Sequence, residues 1–195
     1  AGRQQLLRGS YLEIKHNQEQ FGDRQTFTFD HTLFGLDSKT VLGAEYNKVR
    51  FNVDSNSPYN DVGGDYLDPW QPQPGGFHSA SPLRPQTLST THTFALFAEN
   101  RLQLSDRLSL VTGVRRDQNH IDRNNLINDS RSDRSLQGGN WRVGLVYAIS
   151  DDLSLYGQYS TSEDGVNNLI SLSPTQMHYD LTEAKQTEVG LKQRF

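Results

Sequence analysis

The sequence contains no cysteine, a single methionine and no apolar run longer than about five residues. The absence of cysteine excludes disulfide bridges, thiolate metal sites, cysteine nucleophiles and iron–sulfur ligation. Because a membrane-spanning helix needs roughly 20 predominantly apolar residues in succession, the sequence predicts no helical membrane span. The 19 basic residues are scattered along the chain and outnumbered by 23 acidic ones, so we expect no nucleic-acid partner.

Motifs that carry enzyme or metal chemistry are also missing. The sequence has no nucleophile elbow, P-loop, zinc-protease helix or dinucleotide fingerprint, and its six histidines lack the spacing of metal ligands. Asp61, Asp65 and Asp68 could offer oxygen ligands to calcium, but their spacing differs from an EF-hand loop and Asp-Gly clusters are usually turns. We therefore expect no enzymatic activity, no cofactor and no metal site.

The dominant pattern in the sequence has a period of two residues. Apolar and polar side chains alternate from Phe94 to Leu104, from Leu108 to Asp117 and from Trp141 to Ile149, as in β-strands with one apolar face. Further strands are predicted at about 5–16, 24–35, 39–53, 153–161 and 183–195. The sequence therefore predicts an all-β fold, an antiparallel up-and-down meander of about eight strands.

The predicted connections alternate in length. Short turns are expected at 36–38, 105–106 and 150–152, and longer loops at 17–23, 54–89, 121–138 and 162–182. Turns at one end and loops at the other are typical of a transmembrane β-barrel, whose apolar residues face lipid rather than a core. This also accounts for a hydrophobic content of only 33%. A soluble β-sandwich, or a small closed barrel of eight strands, remains the alternative.

Several of these strands resemble those of a known family. Residues 93–117, TFALFAENRLQLSDRLSLVTGVRRD, resemble a strand-turn-strand of the TonB-dependent outer-membrane receptors. RVGLVY at 142–147, LSLYGQYS at 153–160 and TEVGLK at 187–192 are similar to other strands of the same family, closest to its siderophore-receptor branch. The resemblance implies that residues 1–195 form part of a large transmembrane β-barrel, with the plug domain and the remaining strands outside this sequence.

The resemblance also implies a function and a location. The chain is expected to be a segment of a receptor in the bacterial outer membrane that binds and imports a scarce ligand, a ferric siderophore, without chemistry on it. Iron would enter only within the siderophore complex. The implied partners are outer-membrane lipid, TonB and the receptor's own plug domain. The alternative function is that of a soluble module which binds carbohydrate through Tyr66 and Trp70.

Two predicted loops carry candidate ligand-binding residues. Loop 54–89 combines aromatic rings, which give contact area, with a guanidinium group that pairs with anionic oxygens: Tyr59, Tyr66, Trp70, Phe77, His78 and Arg84. These aromatic rings could instead only pack the loop onto its neighbours. Loop 121–138 alternates Arg123, Arg131 and Arg134 with aspartates, and self-neutralisation is favoured there over binding of an anionic ligand or lipopolysaccharide phosphate.

A further set of candidates consists of charged residues opposite the apolar face of the predicted strands. Such charges would be costly against lipid and are expected to face the barrel lumen, paired across strands or in contact with a plug. The set comprises Glu99, Arg101, Arg115, Asp117, Glu188, Lys192 and Arg194.

Overall fold

The computed structural model describes residues 4–8, 11–58, 65–73, 79–163 and 180–194. In these ranges no helix has the length and apolar character needed to cross a membrane. The described residues form nine strands: β1 (Leu6–Arg8), β2 (Ile14–Leu33), β3 (Leu36–Ser55), β4 (Asp65–Leu67), β5 (Arg84–Ser105), β6 (Leu108–Asn125), β7 (Ser130–Ala148), β8 (Leu153–Glu163) and β9 (Glu183–Gln193).

The seven long strands form one sheet in the order β2-β3-β5-β6-β7-β8-β9. Every neighbouring pair is antiparallel, and each long strand lies beside the next long strand of the sequence. β1 and β4 pair with each other in a separate small sheet. The antiparallel up-and-down meander is therefore confirmed.

The predicted strand boundaries were partly wrong. The sheet has seven long strands rather than eight, because the predicted strand 5–16 is represented only by β1 and by the first residues of β2. The predicted loop 17–23 lies inside β2, which continues through it. The predicted loop 121–138 is mostly strand, since β6 runs to Asn125 and β7 begins at Ser130. These segments lack the alternation on which the prediction depended.

The first hairpin turn lies two residues before its predicted position. Phe34 and Gly35 form the two-residue connection between β2 and β3, with φ angles of 54° and 78°. Positive φ at both central residues is the geometry of a type I′ turn, which matches the twist of the flanking strands. Glycine adopts this conformation freely, whereas phenylalanine at position 34 is strained in it.

The two faces of the sheet differ in composition and in exposure. The register places most exposed large apolar side chains of the long strands on one face, including Leu42, Leu96 and Val114. The opposite face carries most of the buried strand residues, such as Val49, Ala95 and Ile121. Side chains converge on the inside of a curved sheet and diverge on its outside. We therefore call the first face convex and the second concave.

Each long strand also divides along its length. We call the part beside the short turns the proximal half: residues 24–33, 36–46, 94–105, 108–115 and 141–148 of β2, β3, β5, β6 and β7. Its convex face is mainly apolar. The remainder of these five strands is the distal half, which carries polar residues on both faces. The five proximal segments have 8–12 residues, close to the about 9–11 residues of a transmembrane β-strand.

Exposure of the convex face argues against the β-sandwich. In a sandwich the apolar face would pack on a second sheet and be buried. Leu96 and Val143 are instead 53% and 38% exposed. The seven long strands also form an open sheet with β2 and β9 at its edges, rather than a closed eight-stranded barrel.

Candidate functional site

The centre of the concave face holds an arginine between two carboxylates. Arg115 Nη1 lies 3.1 Å from Glu45 Oε2, and Arg115 Nη2 lies 2.8 Å from Asp117 Oδ1. Glu45 and Arg115 belong to β3 and β6, which are separated by β5. The β5 residue in register with both Glu45 and Asp117 is the small, fully buried Ala95. Its size lets the arginine reach across an entire strand.

A second ion pair crosses a strand in the same manner. Arg142 Nη2 on β7 lies 2.6 Å from Glu99 Oε2 on β5, and β6 lies between them. Gly113 is the β6 residue in register with both. A methyl group at this position would stand 3.1 Å from Arg142 Cγ and Nε, so glycine leaves the space that the side chain occupies.

An aromatic ring completes this central cluster. The guanidinium carbon of Arg24 lies 4.6 Å from the centroid of the Phe97 ring, a cation–π contact. The ring itself covers Gly43, its cross-strand partner, where a methyl group would come within 2.1 Å of the ring. Arg24 and Phe97 line a cavity of about 250 Å³, together with Arg115, Asn140 and Arg142.

The central cluster also contains the polar side chain of Asn140. The Asn140 Oδ1 atom is buried and has no hydrogen-bond partner among the described residues. In the residues that the structure describes, no group of three His, Asp or Glu side chains could hold a metal ion. The arrangement offers paired charges and hydrogen-bonding groups on a fixed surface.

A third polar group links the neighbouring strands β8 and β9. The Tyr156 hydroxyl donates to Glu188 Oε1 at 2.6 Å, and the Gln158 amide donates to Glu188 Oε2 at 2.9 Å. Tyr156 also covers Gly190, directly opposite on β9. Both oxygens of this carboxylate are therefore held by neighbours from one strand.

The structure gives positions for all seven charges that the sequence predicted to face a lumen. Six of them lie on the concave face by register, and Arg194 directly follows β9. Arg101 donates to Ser109 Oγ at 3.1 Å from Nη2, while Glu99, Arg115, Asp117 and Glu188 have the partners given above. Their contact with a barrel lumen or a plug stays a prediction.

The three arginines predicted in loop 121–138 lie in the distal halves of β6 and β7, and their surroundings differ. Arg131 Nη2 lies 2.8 Å from Asp122 Oδ1 on the convex face, and Arg134 Nη2 lies 2.7 Å from Asp180 Oδ1. The hydrogen bond from Arg131 holds the pKa of Asp122 below its usual range and raises that of Arg131 itself. Self-neutralisation therefore describes Arg131 and Arg134.

Arg123 behaves differently from these two residues. It lies on the concave face, in register with Ser89 and Ser132. Its Nε and Nη1 atoms are buried without a hydrogen-bond partner among the described residues. Burial lowers the pKa of this guanidinium, because desolvation disfavours the charged form. The neighbouring Thr91 hydroxyl, on the same face of β5, is also buried, and no residue that the structure describes pairs with it.

The ligand-binding candidates of loop 54–89 are only partly described. Tyr59, Phe77 and His78 lie outside the described residues. Tyr66 belongs to β4 and is 67% exposed, and Trp70 follows in a turn and is 84% exposed. Arg84 begins β5. No hydrogen bond, ion pair or ring contact joins Tyr66, Trp70 and Arg84 in this part of the structure, so their role in binding stays a prediction.

Sequence reasoning missed several residues of the central cluster. Arg24, Glu45, Phe97 and Arg142 were not among the candidates, although strand alternation predicts the face of each. The additional signal was a small residue directly across from a long one, as in Gly43 opposite Phe97 or Gly113 opposite Arg142. Such pairs become visible only when the register is known.

A sequence profile of the family described as "TonB dependent receptor-like, beta-barrel" matches residues 2–195. No relative was found among curated protein sequences.

Three solved structures show the same strand arrangement. The siderophore receptor PiuA from Acinetobacter baumannii shares 18% identity with a TM-score of 0.74 over 93% of this chain and 30% of its own. The ferric citrate transporter FecA shares 18% sequence identity with this chain at a TM-score of 0.72, and the match covers 97% of this chain and 28% of FecA. The closed form of the ferric-catecholate import receptor Fiu from Escherichia coli K12 shares 17% sequence identity at a TM-score of 0.70, and the match covers 92% of this chain and 29% of Fiu. The chain thus spans less than a third of the length of each of these receptors.

Proposed function

Because the chain belongs to the TonB-dependent receptor-like β-barrel family, we propose that it is part of the wall of a receptor that binds and imports a ferric siderophore. Members of this family lie in the bacterial outer membrane. The observation that carries the proposal is the family match over residues 2–195. In the complete receptor, TonB and a plug domain are the proposed partners, and the ligand passes through unchanged.

The convex face of the proximal halves has the character of a lipid-facing surface. Outward-facing apolar residues of a transmembrane barrel form a band about 25 Å tall, with aromatic girdles at its two borders. Tyr46, Phe94, Trp141 and Tyr159 lie at the border with the distal halves, and the Trp141 and Tyr159 rings stand 5.3 Å apart. In this orientation the distal halves stand outside the membrane and the concave face lines the lumen.

The distal concave face is where we propose that the ligand is held. Arg123 is half-buried, and its Nε and Nη1 atoms are buried donors that no described residue accepts, which is costly. Carboxylate, catecholate and hydroxamate oxygens of an iron chelate can accept from a guanidinium group. Arg123 therefore favours a ligand that carries negative charge. Tyr66, Trp70 and Arg84 would contact it from the neighbouring loop.

Uptake of radioactive iron tests this function. The complete receptor containing this chain is expressed in iron-starved cells that lack their own siderophore receptors, and ⁵⁵Fe uptake is measured with catecholate, hydroxamate and carboxylate chelates. We expect uptake of at least one chelate, abolished by a protonophore. Uptake that never exceeds that of the empty strain, for any of the three classes, would contradict the proposal.

A variant pair tests the role of Arg123. Arg123→Gln is expected to weaken binding of a negatively charged ferric chelate by about tenfold or more, since charge-assisted hydrogen bonds contribute about 1.5–3 kcal/mol. The matched control is Arg131→Gln, on the convex face of the neighbouring strand, which should leave binding unchanged. Equal affinities for the two variants would exclude a ligand contact by Arg123.

A further inference from the structure

The convex face contains a groove within its apolar belt. The groove has a volume of about 550 Å³, and its lining includes Phe27, Leu42, Ala44, Leu96, Ala98 and Val114. Two consecutive rows of the sheet form it. In one row Ala98 lies between Leu42 and Val114, and in the next Ala44 lies beside Leu96. Short alanine side chains thus form the floor, and larger exposed side chains form the walls.

The distal end of this groove carries a cation. Arg116 also lines the groove, and it is the cross-strand partner of Leu96. It is the first charged residue beyond Val114 on the convex side of β6, at the border where Phe94 and Trp141 lie. Arg116 Nη2 donates to Gln137 Oε1 at 2.6 Å, and Nη1 would stand 3.4 Å from a methyl group on Gly139. The guanidinium is therefore held in place along the sheet.

Arg116 differs from other arginines on the convex side of the distal halves in having no carboxylate partner. Arg50 Nη1 lies 3.9 Å from Glu19 Oε2, and Arg131 Nη2 lies 2.8 Å from Asp122 Oδ1. In the described ranges Arg116 forms no ion pair, and its register neighbours Leu96 and Gly139 are uncharged. A guanidinium has five N–H donors, of which the hydrogen bond to Gln137 uses one.

We propose that this groove is a lipid site, which holds an acyl chain of a membrane lipid against Ala44 and Ala98 while the lipid's anionic phosphate binds Arg116. The combination of an apolar groove and a cation at its water-facing end matches an amphiphile. A free phosphate would gain nothing from the groove. An uncharged lipid would gain nothing from Arg116. The site is independent of iron import and requires only that the convex face contacts lipid.

Native mass spectrometry of the complete, delipidated receptor tests the site. The probes are dimyristoyl phosphatidylglycerol, which carries an anionic phosphate, and dimyristoylglycerol, which has the same chains and no phosphate. We expect one phosphatidylglycerol to be retained about tenfold more strongly than dimyristoylglycerol, the ratio that a charge-assisted hydrogen bond can supply. Inorganic phosphate at millimolar concentration should not displace it.

Two variants separate the parts of the proposal. Arg116→Gln should lower retention of phosphatidylglycerol about tenfold, to the level of dimyristoylglycerol. Ala98→Phe, which fills the groove, should lower retention of both lipids. The controls are Lys48→Gln, a convex-face cation away from the groove, and Val189→Phe, on the convex face of β9. Neither control should change retention, and circular dichroism verifies that each variant is folded.

Three outcomes would overturn the proposal. If Arg116→Gln retained phosphatidylglycerol at the original level, Arg116 would not contact the headgroup. An equal loss in Lys48→Gln would indicate diffuse attraction to the whole surface. Displacement by inorganic phosphate would indicate an anion site without a lipid. Each outcome leaves iron uptake untouched, so failure here is distinct from failure of the receptor function.

Discussion

The proximal and distal halves of the same strands have the same backbone and different chemistry. On β5 the convex face of the proximal half carries Phe94, Leu96 and Ala98, whereas that of the distal half carries Leu88, Thr90 and His92. Both halves are paired residue by residue with β3 and β6. The alternation of apolar and polar residues therefore records what surrounds a strand, not whether the strand exists.

The largest expected difference between the halves comes from placing a charge on the convex face. Val143→Arg, in the proximal half of β7, should destabilise the complete barrel by about 2–4 kcal/mol, because it puts a guanidinium in the lipid-facing band. Thr90→Arg, in the distal half of β5, should change stability by less than about 0.5 kcal/mol. Urea unfolding of the complete receptor in lipid vesicles measures both. Equal losses would erase the distinction between the two halves.

A smaller effect is expected from the buried side chain that anchors the distal end of β3. Asn56 is 3% exposed, and its amide accepts from the Glu13 backbone nitrogen at 2.8 Å and donates to the Tyr11 carbonyl at 2.7 Å. Asn56→Ala should lower local stability by about 1–3 kcal/mol, the cost of leaving such groups unpaired.

Hydrogen exchange of the backbone amides around residues 11–13 and 55–57 measures this loss of local stability as faster exchange. Exchange in the proximal halves should not change, since they share no contact with Asn56. The matched control is Asn128→Ala in the exposed β6–β7 turn, whose hydrogen bonds to Ser130 are open to solvent. A loss in the control as large as in Asn56→Ala would mean that burial does not set the cost.

The smallest expected effect concerns pH. Because Arg131 holds the pKa of Asp122 below its usual range, this pair stabilises the folded state above the unfolded pKa, about 3.9, and the contribution disappears as pH falls through the lower folded value. Exchange in the β6–β7 hairpin should therefore match between pH 7 and 5, after correction for intrinsic rates, and rise below about pH 4. Arg131→Gln should reduce this acid sensitivity, and His120, 3.4 Å from Asp122 Oδ2, accounts for the remainder. Salt should weaken it too, because the pair is exposed.

The difference between the halves also explains what the sequence could predict. In the proximal halves, alternation predicted the strands and the face of residues such as Glu99 and Leu96, because lipid-facing and polar positions alternate there. In the distal halves, the alternation is lost over much of residues 121–138, so the sequence predicts a loop there. Their pairing depends on neighbouring strands that no local pattern reports.

The candidate site was predictable to a similar extent. The charges of the concave face could be predicted because each occupies an alternate strand position. Their partners could not, since Arg115 and Arg142 each reach a residue two strands away, over Ala95 and Gly113 respectively. The burial of Arg123 Nε and Nη1, which have no partner among the described residues, also depends on the residues that cover them, whereas Arg131 and Arg134 differ from Arg123 little in sequence context.

The ion pairs that pass over a strand have a mechanical consequence. Backbone hydrogen bonds tie each strand to the next and resist separation, but they hinge easily and leave the bend of the wall free. Arg115 and Arg142 connect second neighbours on the inside of that bend, like chords across an arc. A shorter distance between these second-neighbour strands increases the curvature of the sheet, and a longer distance decreases it. Because the two arginines pass over Ala95 and Gly113, a single methyl group added at either position would change this curvature and with it the inner diameter of the complete barrel.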